Sequence, residues 1–336
     1  MDKRVIFAVA GSGKTTHITN HLSQEKRYLI ITYTDENYVN LHRKIIARFG
    51  GSWPTNVTLM TYFVFLFRFC YKPFLSDVIG AKGICYEQNL NRYAKKTERS
   101  YFMTSDKRLY SNRLAYLLDI CLVMDDLQAR IKKYFDEIVV DEVQDIAGRD
   151  FNFLEQLMAL ELDMLFVGDY FQHTFDTSRD GNVNKSLFDS FENYKYRFAD
   201  KDLTVDTTSL SGSWRCSKSV CTFVRESLGI PIYSARPDGD DTSIEYVSDE
   251  GRIADILQDG NIIKLHYQKA TLFGPGHKNW GQTKGEVCYG DVCVCLNKTT
   301  ADAYAKGALG KLAPSTKNKL YVAITRARGN VFLIDE

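Results

Sequence analysis

Short apolar stretches recur along the chain, and each is followed by a polar turn and a segment of helical periodicity. These stretches are residues 5–9, 28–32, 137–140, 164–167, 291–296 and 330–334. Strands that alternate with turns and helices are typical of parallel sheets covered by helices. The pattern therefore predicts an α/β fold with parallel sheets, in which ligands bind at the carboxyl ends of the strands.

The pattern changes between about residues 75 and 133, where the chain is rich in Tyr, Lys and Arg and helical in period. We interpret this part as a small helical insertion between two strands. A charged segment near residues 200–210 precedes a new group of motifs, and a chain of 336 residues has room for two domains. The sequence thus predicts two lobes, residues 1–205 with the insertion and residues 206–336.

Composition narrows the class of protein. Hydrophobic residues make up 44% and charged residues 25% of the chain, the balance of an ordinary globular protein. The formal net charge of +1 disfavours a passive nucleic-acid binder that depends on overall charge, but it allows a few cations along a cleft. The eight cysteines lack the spacing of a zinc site. With no signal peptide and no apolar run of roughly 20 residues, we expect a cytosolic protein without a membrane partner.

The first candidate site is a glycine-rich loop between a strand and a helix. Its glycines allow backbone N–H groups to face phosphate oxygens, and the helix N-terminus favours anions. Lys14 is expected to contact the β- and γ-phosphates of a nucleoside triphosphate, and the Thr15 hydroxyl to bind Mg²⁺. The strict motif has glycine where this chain has Ala8, and a simple turn before a helix is the alternative. The loop residues are Ala10, Gly11, Ser12, Gly13, Lys14, Thr15 and Thr16.

Two carboxylates follow another apolar strand, at Asp141 and Glu142. This arrangement suits a Mg²⁺ ion and the orientation of a water molecule, so we assign Asp141 to the metal and Glu142 as the candidate base. A solvated acidic turn is the alternative. A third strand leads to Gln172, whose amide suits sensing of the γ-phosphate.

Seven segments occur in an order that spans almost the whole chain. They are residues 31–37, 57–63, 141–145, 168–172, 213–217, 282–285 and 320–328. In this order the chain resembles the UvrD/Rep family of superfamily 1 helicases. The Asp-Glu-x-x-Asp segment with Gln144 separates it from the DEAD-box type, and the last segment, with Thr325 and Arg326, nearly repeats the family's final motif.

The resemblance implies two RecA-like lobes that bind ATP with Mg²⁺ and roles for three residues of the second lobe. Arg215 and Arg326 are expected to reach the γ-phosphate, where an arginine finger stabilises charge in the transition state. Trp214 is expected to stack on the adenine. Without the resemblance, the arginines are equally well explained as surface residues. For Trp214, a place in the core is the alternative.

The resemblance also implies contacts to a single nucleic-acid strand, at Tyr33, Thr34, Thr61 and Phe175. Hydroxyl groups such as those of Thr34 and Thr61 bind phosphates without reading sequence. Rings such as those of Tyr33 and Phe175 stack on bases, although each ring is as well explained as part of the core. DNA is favoured over RNA, with movement from 3′ to 5′.

The chain departs from the family in its second half. Arg215 and Lys284 are too close in sequence to hold the large accessory insertion of the family. The segment after Lys284 is about one residue longer than the family form, which leaves the role of Glu286 open. A core without the accessory insertion is expected to move along a strand better than it unwinds duplex, or to depend on a protein partner.

Three functions therefore stay open. The first is an ATP-dependent helicase or translocase on single-stranded nucleic acid. The second is a regulatory ATPase subunit that senses nucleic acid and gates a partner enzyme such as a nuclease. The third is an RNA-directed superfamily 1 helicase, because nothing in the sequence identifies a contact to a ribose 2′-hydroxyl.

We expect Glu142→Gln to bind ATP but to hydrolyse it slowly, because the base is lost while Asp141 still holds the metal. Lys14→Ala serves as the comparison, since removal of the cation at the phosphates is expected to abolish hydrolysis. Nucleotide affinity and turnover are measured for both variants. Wild-type turnover in Glu142→Gln would contradict the assignment of the base.

Overall fold

A computed structural model describes residues 1–87, 89, 91, 93–174, 181–237, 239, 242–286 and 288–336. The chain separates into two compact units. The first unit comprises the described residues within 1–5, 15–167 and 175–205. The second unit comprises those within 6–14, 168–174 and 206–336. The glycine-rich loop and the segment that contains Gln172 thus belong to the second unit.

The described residues form strands and helices that alternate along most of the chain. The strands are β1 (Lys3–Phe7), β2 (Tyr28–Thr32), β3 (Val57–Thr61), β4 (Gly83–Cys85), β5 (Arg108–Tyr110), β6 (Glu137–Asp141), β7 (Asp163–Gly168), β8 (Thr204–Asp206), β9 (Gly212–Ser213), β10 (Tyr233–Ser234), β11 (Ile244–Tyr246), β12 (Ile263–His266), β13 (His277–Asn279), β14 (Val292–Leu296) and β15 (Val331–Asp335). The α-helices are α1 (Lys14–His21), α2 (Asp35–Arg48), α3 (Tyr62–Val64), α4 (Lys72–Ile79), α5 (Arg99–Phe102), α6 (Ser111–Ile120), α7 (Met124–Tyr134), α8 (Gly148–Met158), α9 (Phe191–Ala199), α10 (Lys218–Leu228), α11 (Glu250–Gln258), α12 (Lys298–Ala305) and α13 (Pro314–Ile324).

A six-stranded sheet has the order β3-β2-β6-β7-β1-β8. Its β2/β3, β2/β6 and β6/β7 pairs are parallel. Strands β2 and β6 are buried along their whole length, as expected of apolar strands covered on both faces. The prediction of an α/β fold with parallel sheets is confirmed.

The second unit has a five-stranded sheet of order β11-β15-β14-β12-β13, whose pairs are all parallel. Its central strand β14 is completely buried. Trp280 is fully buried beside this sheet, and its indole N–H donates to the carbonyl of Leu265 at 2.9 Å. That bond satisfies the one polar atom of the largest side chain in the core.

The predicted insertion between about residues 75 and 133 contains helices α5, α6 and most of α4 and α7. A buried π-helical segment, Phe65–Tyr71, precedes it. The insertion also contains a two-stranded parallel sheet, β4 with β5, which its helical period did not indicate. Among the residues that the structure describes, no helix is both long enough and apolar enough to cross a membrane.

A turn after β8 holds the segment that borders the glycine-rich loop. The carboxylate of Asp206 accepts hydrogen bonds from the amide and hydroxyl groups of both Thr208 and Ser209. The carbonyl of Leu210, just beyond this turn, accepts the amide N–H of Val9 at 3.0 Å. Burial alone raises the pKa of Asp206, but the hydrogen bonds from Ser209 and Thr208 outweigh it and lower the pKa to about 2.

We expect Asp206→Asn to destabilise the protein at neutral pH and much less at acid pH. A carboxylate whose pKa is lowered on folding stabilises the native state above its unfolded pKa of about 3.9 and loses this effect as the pH falls towards 2. The midpoint of thermal unfolding, measured from pH 6 to pH 2 for both proteins, should therefore converge at the acid end. A gap that stays constant over this range would show that the carboxylate charge has no part in the stability of the turn.

Candidate nucleotide and nucleic-acid site

The glycine-rich loop of the second unit is in close contact with the start of the second half of the chain. Gly11 has φ of +72°, and its carbonyl accepts the amide N–H of Trp214 at 2.9 Å. A β-carbon at Gly11 would lie 2.5 Å from Cβ of Arg215 and 2.9 Å from Oγ of Ser213. Gly13 has φ of +90°, but the space around it is open. Both positions need the left-handed conformation, and Gly11 also needs the absence of a side chain.

The loop runs directly into α1, which begins at Lys14. Ser12 is buried, and its amide N–H donates to the carbonyl of Val9 at 3.3 Å. Lys14 is half-buried at the N-terminal end of the helix, where backbone N–H groups and the helix dipole favour an anion. The left-handed glycines and this helix end together suit the binding of an anion.

In the first unit, Thr15 and Thr16 occupy the first turn of α1. Thr15 is half-buried and Thr16 is exposed. The ammonium group of Lys44, on α2, lies 3.4 Å from Oγ1 of Thr16. Burial lowers the pKa of Lys44, and the nearby carboxylate of Asp141 partly opposes this change.

The predicted carboxylates lie at the end of β6, also in the first unit. Asp141 is buried, and its Oδ2 accepts a hydrogen bond of 3.4 Å from the Thr32 hydroxyl. Glu142 has φ of +57°, a left-handed conformation that is rare outside glycine. Its Oε2 accepts a hydrogen bond of 2.6 Å from the side-chain amide of Gln144. Such backbone strain is found mostly at functional sites, because it costs about 1–3 kcal/mol and needs support from the surrounding structure.

The chemistry of these side chains fits Mg²⁺. The Thr15 hydroxyl and the Asp141 carboxylate are hard oxygen ligands, which Mg²⁺ prefers. Among the described residues, no group of three or more His, Cys, Asp or Glu could hold a metal ion. A Mg²⁺ ion with one carboxylate from the protein needs further oxygen ligands, which phosphates and water commonly supply.

The segment that contains Gln172 is fixed to the glycine-rich loop and to α13 within the second unit. Gln172 is buried, and its amide N–H donates to the carbonyl of Asp169 at 2.9 Å. The Asp169 carboxylate accepts the Tyr321 hydroxyl at 3.1 Å. The same hydroxyl accepts the amide N–H of Ala10 at 2.8 Å. Ala10 thus gives its N–H group to a side chain of α13.

Both predicted arginines of the second unit are bonded to carbonyl groups near the end of α13. Arg215 is half-buried, and its Nη1 donates to the Thr325 carbonyl at 3.1 Å. Arg326 is only 3% exposed, and its Nη1 donates to the carbonyls of Thr283 and Glu286 at 3.1 and 3.3 Å. Neither is an ordinary surface arginine, which was the alternative explanation.

Trp214, the predicted adenine-stacking residue, follows β9 and is 66% exposed. A core role, the alternative for this residue, does not agree with that exposure. A large aromatic ring held by its backbone to Gly11 and open to solvent offers a surface on which a planar ring can stack.

Three of the predicted nucleic-acid residues follow adjacent strands of the first unit. Thr32 at the end of β2 is paired with Thr61 at the end of β3, so Tyr33, Thr34 and Thr61 lie at one edge of the sheet. The Thr34 hydroxyl caps α2 by accepting the Asn37 amide at 3.1 Å. The half-buried ring of Tyr33 packs edge-on against Phe63, with ring centres 5.9 Å apart. Phe175 lies outside the described residues.

Sequence analysis missed three residues beside the site. Lys44 has no motif around it, so only the structure brings it to Thr16. Asp169 and Tyr321 belong to recognised segments, but their residue types do not show that they are bonded to each other. The apolar residues that flank Tyr321 in the sequence indicate that it is buried. Burial of a polar side chain was the signal that could have drawn attention to Asp169 and Tyr321.

Comparison with solved structures finds a likeness to arterivirus nonstructural protein 10, a helicase whose structure is a complex with DNA. The sequences are 13% identical and the TM-score is 0.53. The likeness covers 99% of this chain and 61% of the arterivirus chain, so this chain spans less than two thirds of that helicase. The chain shares the fold of that protein, and the predicted α/β class with RecA-like lobes is confirmed. No protein-family model and no curated protein matches the sequence.

We expect Gly11→Ala to impair nucleotide binding far more than Gly13→Ala does. Both changes place a β-carbon at a left-handed residue, a strain of roughly 1 kcal/mol or more. Only the β-carbon at Gly11 also collides with Arg215 and Ser213. Binding of a fluorescent ATP analogue and thermal unfolding are measured for both variants. Equal losses in the two variants would contradict the close approach at Gly11.

Proposed function

We propose that this protein is an ATP-dependent helicase or translocase of the UvrD/Rep type that moves along single-stranded nucleic acid. ATP with Mg²⁺ is hydrolysed between two lobes, residues 1–205 and 206–336. DNA is favoured over RNA and the direction is 3′ to 5′, both on the strength of the sequence resemblance. Because all eight cysteines are free, we place the protein in a reducing compartment such as the cytosol.

One observation supports this proposal above the others. The glycine-rich loop and the Gln172 segment, which the sequence assigns to the lobe of residues 1–205, belong to one compact unit with both arginines, which the sequence assigns to the lobe of residues 206–336. A small-molecule kinase needs a phosphate loop, but it does not explain why Arg215 and Arg326 are held beside the same helix end. An ATP-driven motor needs both parts, because its arginines sense whether the γ-phosphate is present.

Each residue of the proposed site has a separate role in the hydrolysis of ATP. Lys14 and the N–H groups of the loop bind the β- and γ-phosphates, and Thr15 and Asp141 hold Mg²⁺. Bound Mg²⁺ withdraws charge from the phosphate oxygens. Glu142 accepts the proton of the attacking water, and Gln144 fixes the position of its carboxylate.

The γ-phosphate is also the point at which the chemistry is coupled to movement. Arg215 and Arg326 stabilise the charge that develops on it, and Gln172 senses whether it is present. Loss of the phosphate removes these contacts, so the lobes alternate between two arrangements as ATP is bound and hydrolysed.

The sheet edge with Tyr33, Thr34 and Thr61 is the proposed strand-binding surface. Threonine hydroxyls suit phosphates, and the Tyr33 ring and Phe175 suit stacking on bases. The same edge of the sheet continues to Asp141 at the end of β6. Its carboxylate accepts a hydrogen bond from Thr32, at the end of the intervening strand β2. A strand bound there lies next to the metal-binding carboxylate, and this proximity couples strand binding to hydrolysis.

We expect single-stranded oligonucleotides to stimulate ATP hydrolysis by the purified protein. The stimulation should weaken as salt rises, because contacts to phosphates release counterions. ATP turnover is measured with DNA and RNA oligonucleotides from low to physiological salt, with Lys14→Ala as the inactive control. Turnover that is indifferent to both kinds of oligonucleotide at low salt would contradict a motor.

A forked-duplex assay then separates the remaining functions. Unwinding or strand displacement by the protein alone supports a helicase or translocase. Stimulated turnover without movement along the strand supports the regulatory ATPase subunit, and stimulation by RNA alone supports the RNA-directed helicase.

A further inference from the structure

A hydrogen-bond relay connects the glycine-rich loop to α13 through one buried side chain. The hydroxyl of Tyr321 lies 2.8 Å from the amide nitrogen of Ala10 and 3.1 Å from Oδ2 of Asp169. All three residues are completely buried and belong to the second unit. Neither the loop motif nor the sequence of α13 assigns a function to this hydroxyl.

The direction of the relay is fixed by its end groups. A backbone N–H can only donate, so the Tyr321 oxygen accepts from Ala10. The single hydroxyl hydrogen is then free to point to the Asp169 carboxylate, which accepts it. Burial, together with Asp169, raises the pKa of Tyr321 well above its ordinary value, so the hydroxyl stays protonated near neutral pH.

The Asp169 end of the relay fixes the turn that carries Gln172. Oδ1 of Asp169 accepts the amide N–H of Phe171 at 3.1 Å, and its backbone carbonyl accepts that of Gln172. A second contact ties the same segment to α13, because the side-chain amide of Asn318 donates to the His173 carbonyl at 3.0 Å. The Gln172 segment is therefore held in one position along α13.

The C-terminal end of α13, just beyond Tyr321, carries the arginine contacts. Thr325 follows Tyr321 by one helical turn, and its hydroxyl donates to the Tyr321 carbonyl at 2.7 Å. The Thr325 carbonyl in turn accepts Arg215, and Arg326 is the next residue. One helix end thus joins the relay to both arginines.

We propose that Tyr321 is a positioning residue for ATP hydrolysis, which sets the phosphate loop, the Gln172 turn and the two arginines in register through the bonds from its hydroxyl to Ala10 and Asp169. This inference rests on the proposed function and adds a residue to its site. Tyr321 does not contact the nucleotide itself; it acts through Arg215, Arg326 and Gln172.

If Tyr321 has this role, loss of its hydroxyl lowers turnover but leaves the binding of the diphosphate unchanged. The relay uses the N–H of Ala10 and involves neither the backbone of Gly13 nor the side chain of Lys14, which are proposed to hold the diphosphate. Loss of the relay leaves those groups in place but lets the loop and α13 shift against each other. A shift of about 1 Å at a reacting group lowers turnover by about 10²-fold.

The test is Tyr321→Phe, which removes only the hydroxyl. We expect kcat to fall by about 10²-fold, ADP affinity to be unchanged, and the preference for a non-hydrolysable ATP analogue over ADP to be lost. The matched control is Tyr246→Phe, which removes a tyrosine–aspartate hydrogen bond of 2.8 Å, to Asp335, elsewhere in the second unit. If Tyr321→Phe does not fold, Asp169→Asn replaces the charged acceptor by a neutral amide and should show the same split with a smaller loss.

A double-mutant cycle with Arg326→Gln separates positioning from a general effect on structure. Glutamine keeps a side-chain N–H donor but lacks the charge and the length of arginine. If Tyr321 acts in part through Arg326, adding Tyr321→Phe to Arg326→Gln should slow turnover by a clearly smaller factor than Tyr321→Phe does in the wild-type protein. If the two losses multiply, Tyr321 acts independently and the proposal is wrong.

Two further results would overturn the relay. One is wild-type turnover and ATP preference in Tyr321→Phe. The other is an equal loss of ADP and ATP affinity, which indicates a damaged fold. Absence of nucleic-acid-stimulated hydrolysis in the wild-type protein would instead overturn the proposed function, and it is visible before any variant is made.

Discussion

Gly11 has no β-carbon, and a β-carbon there would lie only 2.5 Å from that of Arg215. This close approach of two backbones holds the glycine-rich loop against residues 213–215. The hydrogen bond between the Gly11 carbonyl and the Trp214 amide depends on it, as does the position of Arg215 over the Thr325 carbonyl. In ordinary phosphate loops, glycine is explained by the approach of phosphates. In this chain Gly11 is needed as well for contact with the segment that carries an arginine and an exposed tryptophan.

The buried polar groups around this contact restrict it to one geometry. A buried amide or carboxylate that loses its partner costs about 1–3 kcal/mol, so the Ala10 amide, the Tyr321 hydroxyl and the Asp169 carboxylate stabilise one another only in one register. An apolar contact of the same size tolerates sliding, since dispersion and hydrophobic contacts have little directional preference. The hydrogen bonds therefore contribute specificity, while the surrounding apolar side chains, among them Phe171 packed edge-on to Tyr321, contribute most of the stability.

The sequence predicted most of what depends on neighbours along the chain. Periodicity located β1, β2, β6, β7, β14 and β15 but not β3 or β12, and the glycine loop and the Asp141–Glu142 pair lie at strand ends as expected. It did not indicate the short strands β4 and β5, because three-residue strands are too short to show an alternating pattern. Nor could it locate Lys44 beside Thr16 or Tyr321 beside Ala10, since both contacts join residues that only the tertiary fold brings together. The sequence also could not determine the exposure of Trp214 or the burial of Arg326, because a residue type alone does not determine its environment.

The two arginines differ in how much freedom they keep, and this difference bears on how ATP could drive movement. Arg326 is almost fully buried, and its guanidinium donates to the carbonyls of Thr283 and Glu286. It can therefore move only together with that backbone. Arg215 is half-buried and bonded to one carbonyl, that of Thr325. A long side chain with a single bond loses less on changing partner than one with two, because each charge-assisted bond broken costs roughly 1.5–3 kcal/mol. Under the proposed function, Arg215 exchanges its carbonyl for a phosphate oxygen at the lower cost, whereas Arg326 reaches the γ-phosphate only together with the backbone that holds it. In the proposed mechanism, this pair links an event at the γ-phosphate to the backbone around Thr283 and Glu286.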